Sequence, residues 1–193
     1  MSPIGCHRPL ELNVTDHVVD EKLEEELAKM ADVVIPPIPV ALEGGRNKVL
    51  TGVTGEYYVA AELSRRGYIA SITLRNTKGV DVLCSNTDAS KSVGIQVKAR
   101  TGMQRSWILS QKGEDYYADT LFYVFVNISE NPKQHPEFTI VPSKVVADYI
   151  RSHHAAWLAG TKKDGEPRKD STMRKFSDLE EHYLGRWDLL GLD

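Results

Sequence analysis

The chain has 193 residues, of which 41% are hydrophobic and 26% charged, and its formal net charge at pH 7 is −3. This size and composition fit one globular domain with terminal extensions, and they exclude a disordered or fibrous chain. No apolar run reaches the roughly 18 residues of a membrane span, and the first residues lack a signal-peptide pattern, so we expect a cytoplasmic protein without a membrane partner.

The N-terminal part of the chain is acidic, whereas the remainder is weakly basic. Residues 1–45 have a net charge of −6 and residues 46–193 a net charge of +3. Apolar residues recur at helical spacing from Val14 to Met30, and prolines and glycines crowd Val33–Gly45, so we predict a helical arm followed by a linker over residues 1–45. The helix could be a solvated helix packed on the domain or on a second copy, or a mimic of nucleic-acid charge covering a basic groove.

A second amphipathic segment predicts a helix from about Lys48 to Arg66, with Gly67 as its C-terminal cap. Its core face comprises Val59, Ala60 and Leu63 with either Val53 or Tyr57, and Glu56 lies near the edge of that face. Gly52 and Gly55 weaken the first turns, which could instead be irregular. A strand over Tyr68–Leu74 and a turn over Asn76–Gly79 follow.

Two short Val- and Ile-rich runs then predict a β-hairpin, Gly79–Cys84 and Val93–Arg100, joined by the polar residues Ser85–Ser92. Asp81 lies in the first run, and Gln96 and Lys98 alternate with apolar residues in the second. Because residues two apart share one face of a strand, Gln96 and Lys98 point the same way, and pairing can bring Asp81 beside them. An acid, an amide and an ammonium group on one sheet face predict a metal-and-phosphate site rather than a core.

The remaining elements are read from similar patterns. Trp107–Leu109 is a candidate strand, Gln111–Asp119 a loop with at most one helical turn, and Leu121–Ile128 a strand covered on both faces. We further predict a strand at Phe138–Val141, a helix from Pro142-Ser143 to about Leu158, a basic loop at Gly160–Lys175, a short helix from Ser177-Asp178 toward Tyr183, and an apolar tail containing Trp187, Leu189, Leu190 and Leu192.

A helix with Glu56, a strand, a strand with Asp81, a strand with Gln96-Val97-Lys98, a connection and a further strand follow one another in this order. The order and the D…QxK motif resemble the PD-(D/E)XK nuclease superfamily, in the variant found in Mrr-type restriction endonucleases and in some relatives of Holliday-junction resolvases. The resemblance covers roughly residues 49–128. It implies a restriction-endonuclease-like αβββαβ core: an α/β fold with a mixed central sheet flanked by helices.

The candidate residues suit metal-dependent phosphodiester hydrolysis. Mg²⁺ or Mn²⁺ prefers oxygen ligands, which Asp81, Gln96, the Val97 backbone and Glu56 can supply. Lys98 would hold the attacking water or stabilise charge on the phosphorane. The resemblance gives the same catalytic positions, Glu56, Asp81, Gln96 and Lys98, although the commoner family pattern has an acid where this chain has Gln96. The hypothesis requires oxygens of Asp81 and Gln96 to lie within roughly 6 Å of each other.

Basic residues beyond the motif are candidates for contacts with nucleic-acid phosphates. They are Arg100, Arg105, Lys112, Lys162, Lys163 and Lys169. We expect DNA rather than RNA as substrate and a homodimer as the assembly, since many enzymes of this fold pair up to cut both strands.

The predicted organisation is an acidic arm over residues 1–45, a nuclease-like domain over residues 46–159, and a basic loop with a C-terminal extension over residues 160–193 packed on the same domain. Two alternatives to a working nuclease stay open. One is a catalytically inactive protein that keeps the fold to bind nucleic acid or a protein partner. The other is a metal-dependent hydrolase on an unrelated α/β fold.

Overall fold

The structure is a computed structural model that describes residues 48–74 and 79–193. The predicted N-terminal helix, the Pro/Gly linker and residues 76–78 of the predicted turn lie outside the described residues. Within the described part of the chain, no helix is both long enough and apolar enough to cross a membrane.

The described elements are two α-helices, seven strands and two 3₁₀ turns. In chain order they are α1 (Lys48–Arg65), β1 (Ile69–Ile72), β2 (Val82–Ser85), β3 (Ser92–Thr101), β4 (Ser106–Ser110), a 3₁₀ turn (Gln111–Glu114), β5 (Leu121–Ile128), β6 (Glu137–Pro142), α2 (Ser143–Leu158), β7 (Met173–Ser177) and a second 3₁₀ turn (Trp187–Leu190).

A five-stranded mixed sheet in the order β1-β2-β3-β5-β6 forms the centre of the fold, and β4 and β7 form a separate two-stranded sheet. Neighbouring strands in the large sheet are antiparallel except β3 and β5, which are parallel. A parallel pair needs a crossover connection. Here that connection consists of β4 and a 3₁₀ turn, whereas the predicted αβββαβ core has a helix at this point. A strand forms because the buried residues Trp107 and Leu109 are two apart, which is strand spacing and not helical spacing.

Helix α1 agrees with the sequence prediction in its bounds and its cap. Gly67 has a φ of +91° and ends the helix in the left-handed conformation that glycine adopts readily. The buried residues of α1 are Thr51, Gly55, Val59 and Leu63. Tyr57, one alternative for the core face, is instead 64% exposed. The first turns are regular helix despite their glycines.

The large sheet carries a separate core on each face because the side chains of β5 alternate between them. Phe122, Val124 and Val126 pack with α1, the buried sides of β2 and β3, and the C-terminal tail. Tyr123 and Phe125 pack with β4, α2 and β7 on the other face. The predicted burial of β5 on both faces is therefore confirmed, as is docking of the tail through Trp187, Leu190 and Leu192.

Two predictions for the C-terminal part were wrong. Met173–Ser177, placed mainly in a basic loop, is a strand that pairs with β4, because Arg174 and Phe176 turn inward while Met173 and Lys175 stay exposed. Arg174 is 4% exposed and its guanidinium pairs with Glu114. The predicted helix after Ser177 is a turn, in which the Asp178 carboxylate accepts bonds from the backbone N–H groups of His182 and Tyr183.

Candidate active site

The carboxylate of Asp81 and the amide of Gln96 are in direct contact. Gln96 Nε2 donates to Asp81 Oδ2 at 2.6 Å, and the backbone N–H of Val97 donates to the same oxygen at 2.7 Å. Asp81 lies one residue before β2, where its own backbone N–H donates to Ile95 O at 2.8 Å. The antiparallel register pairs Val82 with Ile95, so Asp81 and Gln96 face each other on the same side of the sheet. The sequence hypothesis requires the side-chain oxygens of the two residues to lie within roughly 6 Å, whereas the contact here joins Asp81 Oδ2 to the nitrogen of the Gln96 amide.

Lys98 lies two residues further along β3, on the same face as Gln96, and is half-buried. Burial lowers the pKa of Lys98, and the nearby carboxylates of Asp81 and Glu56 oppose part of this shift. Both acids therefore act electrostatically on one ammonium group. This places the four predicted catalytic side chains in one neighbourhood, with Glu56 contributed by a different element from the other three.

Close packing of α1 on β3 brings Glu56 to this neighbourhood. Gly55 lies directly over Ala99 and Val97, and a Cβ at position 55 would stand 2.4 Å from the Cβ of Ala99. Only glycine allows the helix to approach the strand this closely. Gly55 has a low helix propensity, but its contact with Ala99 sets the position of the next residue, Glu56.

A cleft of about 410 Å³ opens beside Gln96 and Lys98. Its other walls come from Gly79, from the end of β4 and the 3₁₀ turn, and from two tyrosines. These residues are Leu109, Ser110, Lys112, Gly113, Tyr116 and Tyr123. A second cleft of about 440 Å³ shares Lys98 and is lined further by Lys48, Thr51, Ala99, Arg100, Thr101, Ser106, Trp107 and Ile108.

Sequence reasoning missed the two tyrosines of the first cleft. Tyr123 lies opposite Gln96 in the parallel register of β3 and β5. The Tyr116 ring lies against Gly79, whose φ is +74° and where a Cβ would come within 2.2 Å of that ring. Tyr123 is concealed within a continuously apolar run. Only the register between β3 and β5 could have identified it.

The predicted nucleic-acid contacts are placed in different environments. Arg100 lines the second cleft, but its guanidinium donates to Ser106 O and Gln104 Oε1. Arg105 forms ion pairs with Glu137 at 3.0 Å and Glu181 at 2.9 Å, and its side chain is 19% exposed. These ion pairs hold the loop around Arg105 in place, and we propose that Arg105 keeps them rather than contacting nucleic acid.

The four predicted lysines are all exposed. Lys112 lines the first cleft together with Gln96 and Lys98. Lys162, Lys163 and Lys169 lie between α2 and β7, where the backbone N–H of Lys162 bonds Glu166 O at 2.8 Å. Of these four lysines, Lys112 is the one that the described structure places in the lining of either cleft beside Lys98.

The oxygen donors around Lys98 suit some divalent cations and not others. In the two described stretches, residues 48–74 and 79–193, no three His, Cys, Asp or Glu side chains are grouped to hold a metal ion. Mg²⁺, however, usually keeps several waters and binds through one or two carboxylates. Asp81 and Glu56, the two carboxylates that act on Lys98, fit that requirement, and the Gln96 amide adds an oxygen only if it turns its Nε2 away from Asp81 Oδ2. They do not fit an ion that needs a full shell of His, Cys or acidic ligands.

Comparisons with known proteins give likenesses of structure only. No protein-family model matches the sequence, and no curated protein matches it significantly. Two solved nucleases resemble the fold. One is the Holliday junction resolvase Hjc of the archaeal hyperthermophile Archaeoglobus fulgidus, at 12% identity and a TM-score of 0.38, covering 66% of this chain and 84% of Hjc.

The other is the bacterial homing endonuclease I-Ssp6803I, at 15% identity and a TM-score of 0.42, covering 76% of this chain and 95% of that enzyme. Likenesses of this size do not decide what the present chain does. The mixed α/β fold is established by its own sheet topology, and function has to be inferred from the side chains around Asp81.

Proposed function

We propose that this chain is a Mg²⁺- or Mn²⁺-dependent nuclease that hydrolyses phosphodiester bonds, in DNA rather than RNA. The observation that carries the proposal is the contact between Asp81 and Gln96 on a sheet face shared with Lys98, with Glu56 acting on the same ammonium group. Burial disfavours the charged form of Lys98 while the two carboxylates favour it, and titratable groups with pKa values shifted in this way are typical of functional sites.

Each of the four side chains has a role in this proposal. Asp81, Glu56 and Gln96 would hold the cation, which supplies charge neutralisation and a more acidic water. Lys98 donates hydrogen bonds to the attacking water or to a non-bridging phosphate oxygen. The water oxygen bonds to phosphorus as one P–O ester bond breaks. One water proton goes to the departing oxygen, and the other is released to solvent.

The test is cleavage of supercoiled plasmid DNA with Mg²⁺ or Mn²⁺ by the wild type, Asp81→Asn and Asp148→Asn. Asp148 is an exposed residue of α2 that pairs with Lys144, so its variant is a matched control. We expect cleavage by the wild type and the control, and a loss of about 100-fold or more in Asp81→Asn. Equal cleavage by all three proteins, or no cleavage by any, would remove the support for this mechanism.

A second function is favoured by the same hydrogen bonds. Asp81 Oδ2 already accepts two N–H groups, so the pair is satisfied by the protein itself. A catalytically inactive protein that uses the fold to bind nucleic acid would have this arrangement. It would bind DNA with a steep salt dependence, yield no products with either metal, and retain its DNA affinity in Asp81→Asn.

A further inference from the structure

Tyr123 lines the cleft beside the candidate active site, and no other residue in the described part of the chain bonds its hydroxyl. The residue is 3% exposed, and its ring stacks on Phe125 with centroids 5.8 Å apart. The residue lines the cleft together with Gln96, Lys98 and Lys112. Among the described residues, no hydrogen-bond partner is found for this hydroxyl, although a buried tyrosine hydroxyl usually has one.

The hydroxyl can act only as a neutral donor or acceptor in this position. Burial raises the pKa of Tyr123 to about 12, and Tyr116 and Asp81 contribute to the shift. It therefore stays protonated throughout the range in which the protein would work. A neutral hydroxyl can donate a hydrogen bond to an anionic ligand, whereas an ionised tyrosine would repel it.

The surrounding groups favour an anion as that ligand. Lys98 and Lys112 bring two ammonium groups to the same cleft, Ser110 adds a hydroxyl, and Leu109 gives it an apolar wall. Among the described residues that line the cleft none is acidic, and the nearby Asp81 carboxylate accepts hydrogen bonds from Gln96 and Val97. A nucleotide matches these walls, because its phosphate is an anion and its base has a flat face that can pack on an apolar side chain.

The position of the cleft is fixed by contacts that involve no ligand. Arg174, on β7, pairs with Glu114 at the end of the 3₁₀ turn that carries Lys112. Arg151, on α2, pairs with Asp115 at 3.2 Å, and Gly113 is buried under α2 beside Ile150. Lys112 and the Tyr123 hydroxyl are therefore held by separate elements that meet at this cleft, as in a preformed site.

We propose that this cleft is a phosphate-binding subsite of the nuclease, in which the Tyr123 hydroxyl and Lys112 bind a nucleic-acid phosphate next to the one that is cleaved. The location of this phosphate beside the cleaved one rests on the proposed function, but binding itself needs neither metal nor cleavage. The phosphate is either an internal phosphodiester or a terminal 5′-phosphate, which share this chemistry.

Equilibrium binding in EDTA tests the subsite apart from catalysis. The probes are two short single-stranded DNA oligonucleotides that differ only in a 5′-phosphate, measured with the wild type, Tyr123→Phe and Tyr117→Phe. Tyr117 is exposed and lies outside this cleft, so it is the matched control. We expect Tyr123→Phe to weaken binding about tenfold, as for a lost hydrogen bond to a charged group, and the control to match the wild type.

The pattern across probes identifies the source of the phosphate. If Tyr123→Phe binds both oligonucleotides more weakly than the wild type does, the subsite holds an internal phosphodiester. If it binds only the phosphorylated oligonucleotide more weakly, the subsite holds a terminal phosphate. Unchanged binding of both probes overturns the subsite even if the wild type cleaves DNA. A weakened Tyr123→Phe variant of a protein that cuts no DNA keeps the subsite and overturns the proposed activity.

A stability measurement separates binding from a structural role. Because Tyr123 makes no internal hydrogen bond among the described residues, Tyr123→Phe should leave the unfolding midpoint in denaturant unchanged. A variant that lost both stability and binding would have lost a structural contact. That result would also overturn the subsite.

Discussion

Gly55 of helix α1 lies so close to Ala99 of strand β3 that a Cβ added to Gly55 would stand 2.4 Å from the Ala99 Cβ. Real side chains do not approach to that distance, so one of the two elements has to move when residue 55 carries a methyl group. Glu56 follows directly in the chain. The contact therefore couples the stability of the fold to the position of a candidate metal ligand.

Gly55→Ala should destabilise the protein by about 1–3 kcal/mol through overpacking, although alanine is the better helix former. Gly52→Ala is the matched control, because nothing lies within 4 Å of a Cβ there, and it should gain about 0.5–1 kcal/mol. Denaturant unfolding of both variants measures the difference. Adding Ala99→Gly to Gly55→Ala should recover part of the loss, and no recovery would mean that the contact is not the cause.

Lys98→Met should raise stability while abolishing cleavage. Burial outweighs the attraction of Asp81 and Glu56, since the pKa of Lys98 is lowered overall, so the charged side chain is unfavourable where it lies. Replacing it with an apolar side chain of similar length should stabilise the fold by about 1 kcal/mol at pH 7. Lys133→Met, at an exposed position, should change neither property.

The pH dependence of this gain follows from the direction of the shift. The folded-state pKa of Lys98 lies below its unfolded value of about 10.4, so between the two pKa values the unfolded chain binds more protons and wild-type stability rises with pH. The advantage of Lys98→Met should therefore shrink as the pH rises through the folded pKa toward 10.4. Unfolding curves at pH 7 and 9.5 show whether it does, and a gain that grows with pH contradicts this account.

The order of the elements from α1 to β3 and the shared sheet face of three candidate residues could be predicted from local pattern. The hairpin alternation places Asp81, Gln96 and Lys98 on one face, and β5 is apolar throughout, so both features can be read from the sequence. The cleft could not be predicted in this way. Tyr123 lines it through the register of β3 against β5, which is a contact between segments about 27 residues apart.

The wrong prediction of a loop at Arg174 also results from a contact between residues that are distant in sequence. Two charged residues at 174 and 175 predict a solvated loop when each is considered alone. In the structure Arg174 is buried because Glu114, sixty residues earlier in the chain, neutralises it. A buried ion pair has no local sequence signal, since neither partner is near the other in the chain.

Gln96→Glu tests whether the site is built for a cation. The change replaces the N–H group that donates to Asp81 Oδ2 with a second carboxylate. Repulsion raises the pKa of one acid in the folded state above its unfolded value. The variant should therefore lose stability relative to the wild type as the pH rises through that raised pKa toward 7.

Magnesium should restore the stability of Gln96→Glu at pH 7. A cation that binds only the folded state at 100 times its dissociation constant adds about 2.7 kcal/mol. Thermal unfolding with and without MgCl₂ measures the effect, with Gln111→Glu, an exposed position, as the control for nonspecific salt effects. Equal responses of the two variants to magnesium would indicate that these oxygens do not share an ion.

Lys112 and Arg105 should differ in how they affect DNA binding. Lys112 is exposed at the cleft mouth, whereas Arg105 is paired with Glu137 and Glu181. Lys112→Gln should reduce the slope of log affinity against log salt by about 1, since one phosphate contact is lost. Arg105→Gln should leave that slope unchanged and destabilise the fold by about 1 kcal/mol, because its partners lose their cation.

Fluorescence anisotropy at several salt concentrations gives the two slopes, and denaturant unfolding gives the two stabilities. The prediction is a crossed pattern, in which each variant changes one property and not the other. A reduced slope for Arg105→Gln would return Arg105 to the interface, because its guanidinium would then have to exchange carboxylates for phosphate when DNA binds. An unchanged slope for Lys112→Gln would instead place the DNA path away from the cleft that contains Tyr123.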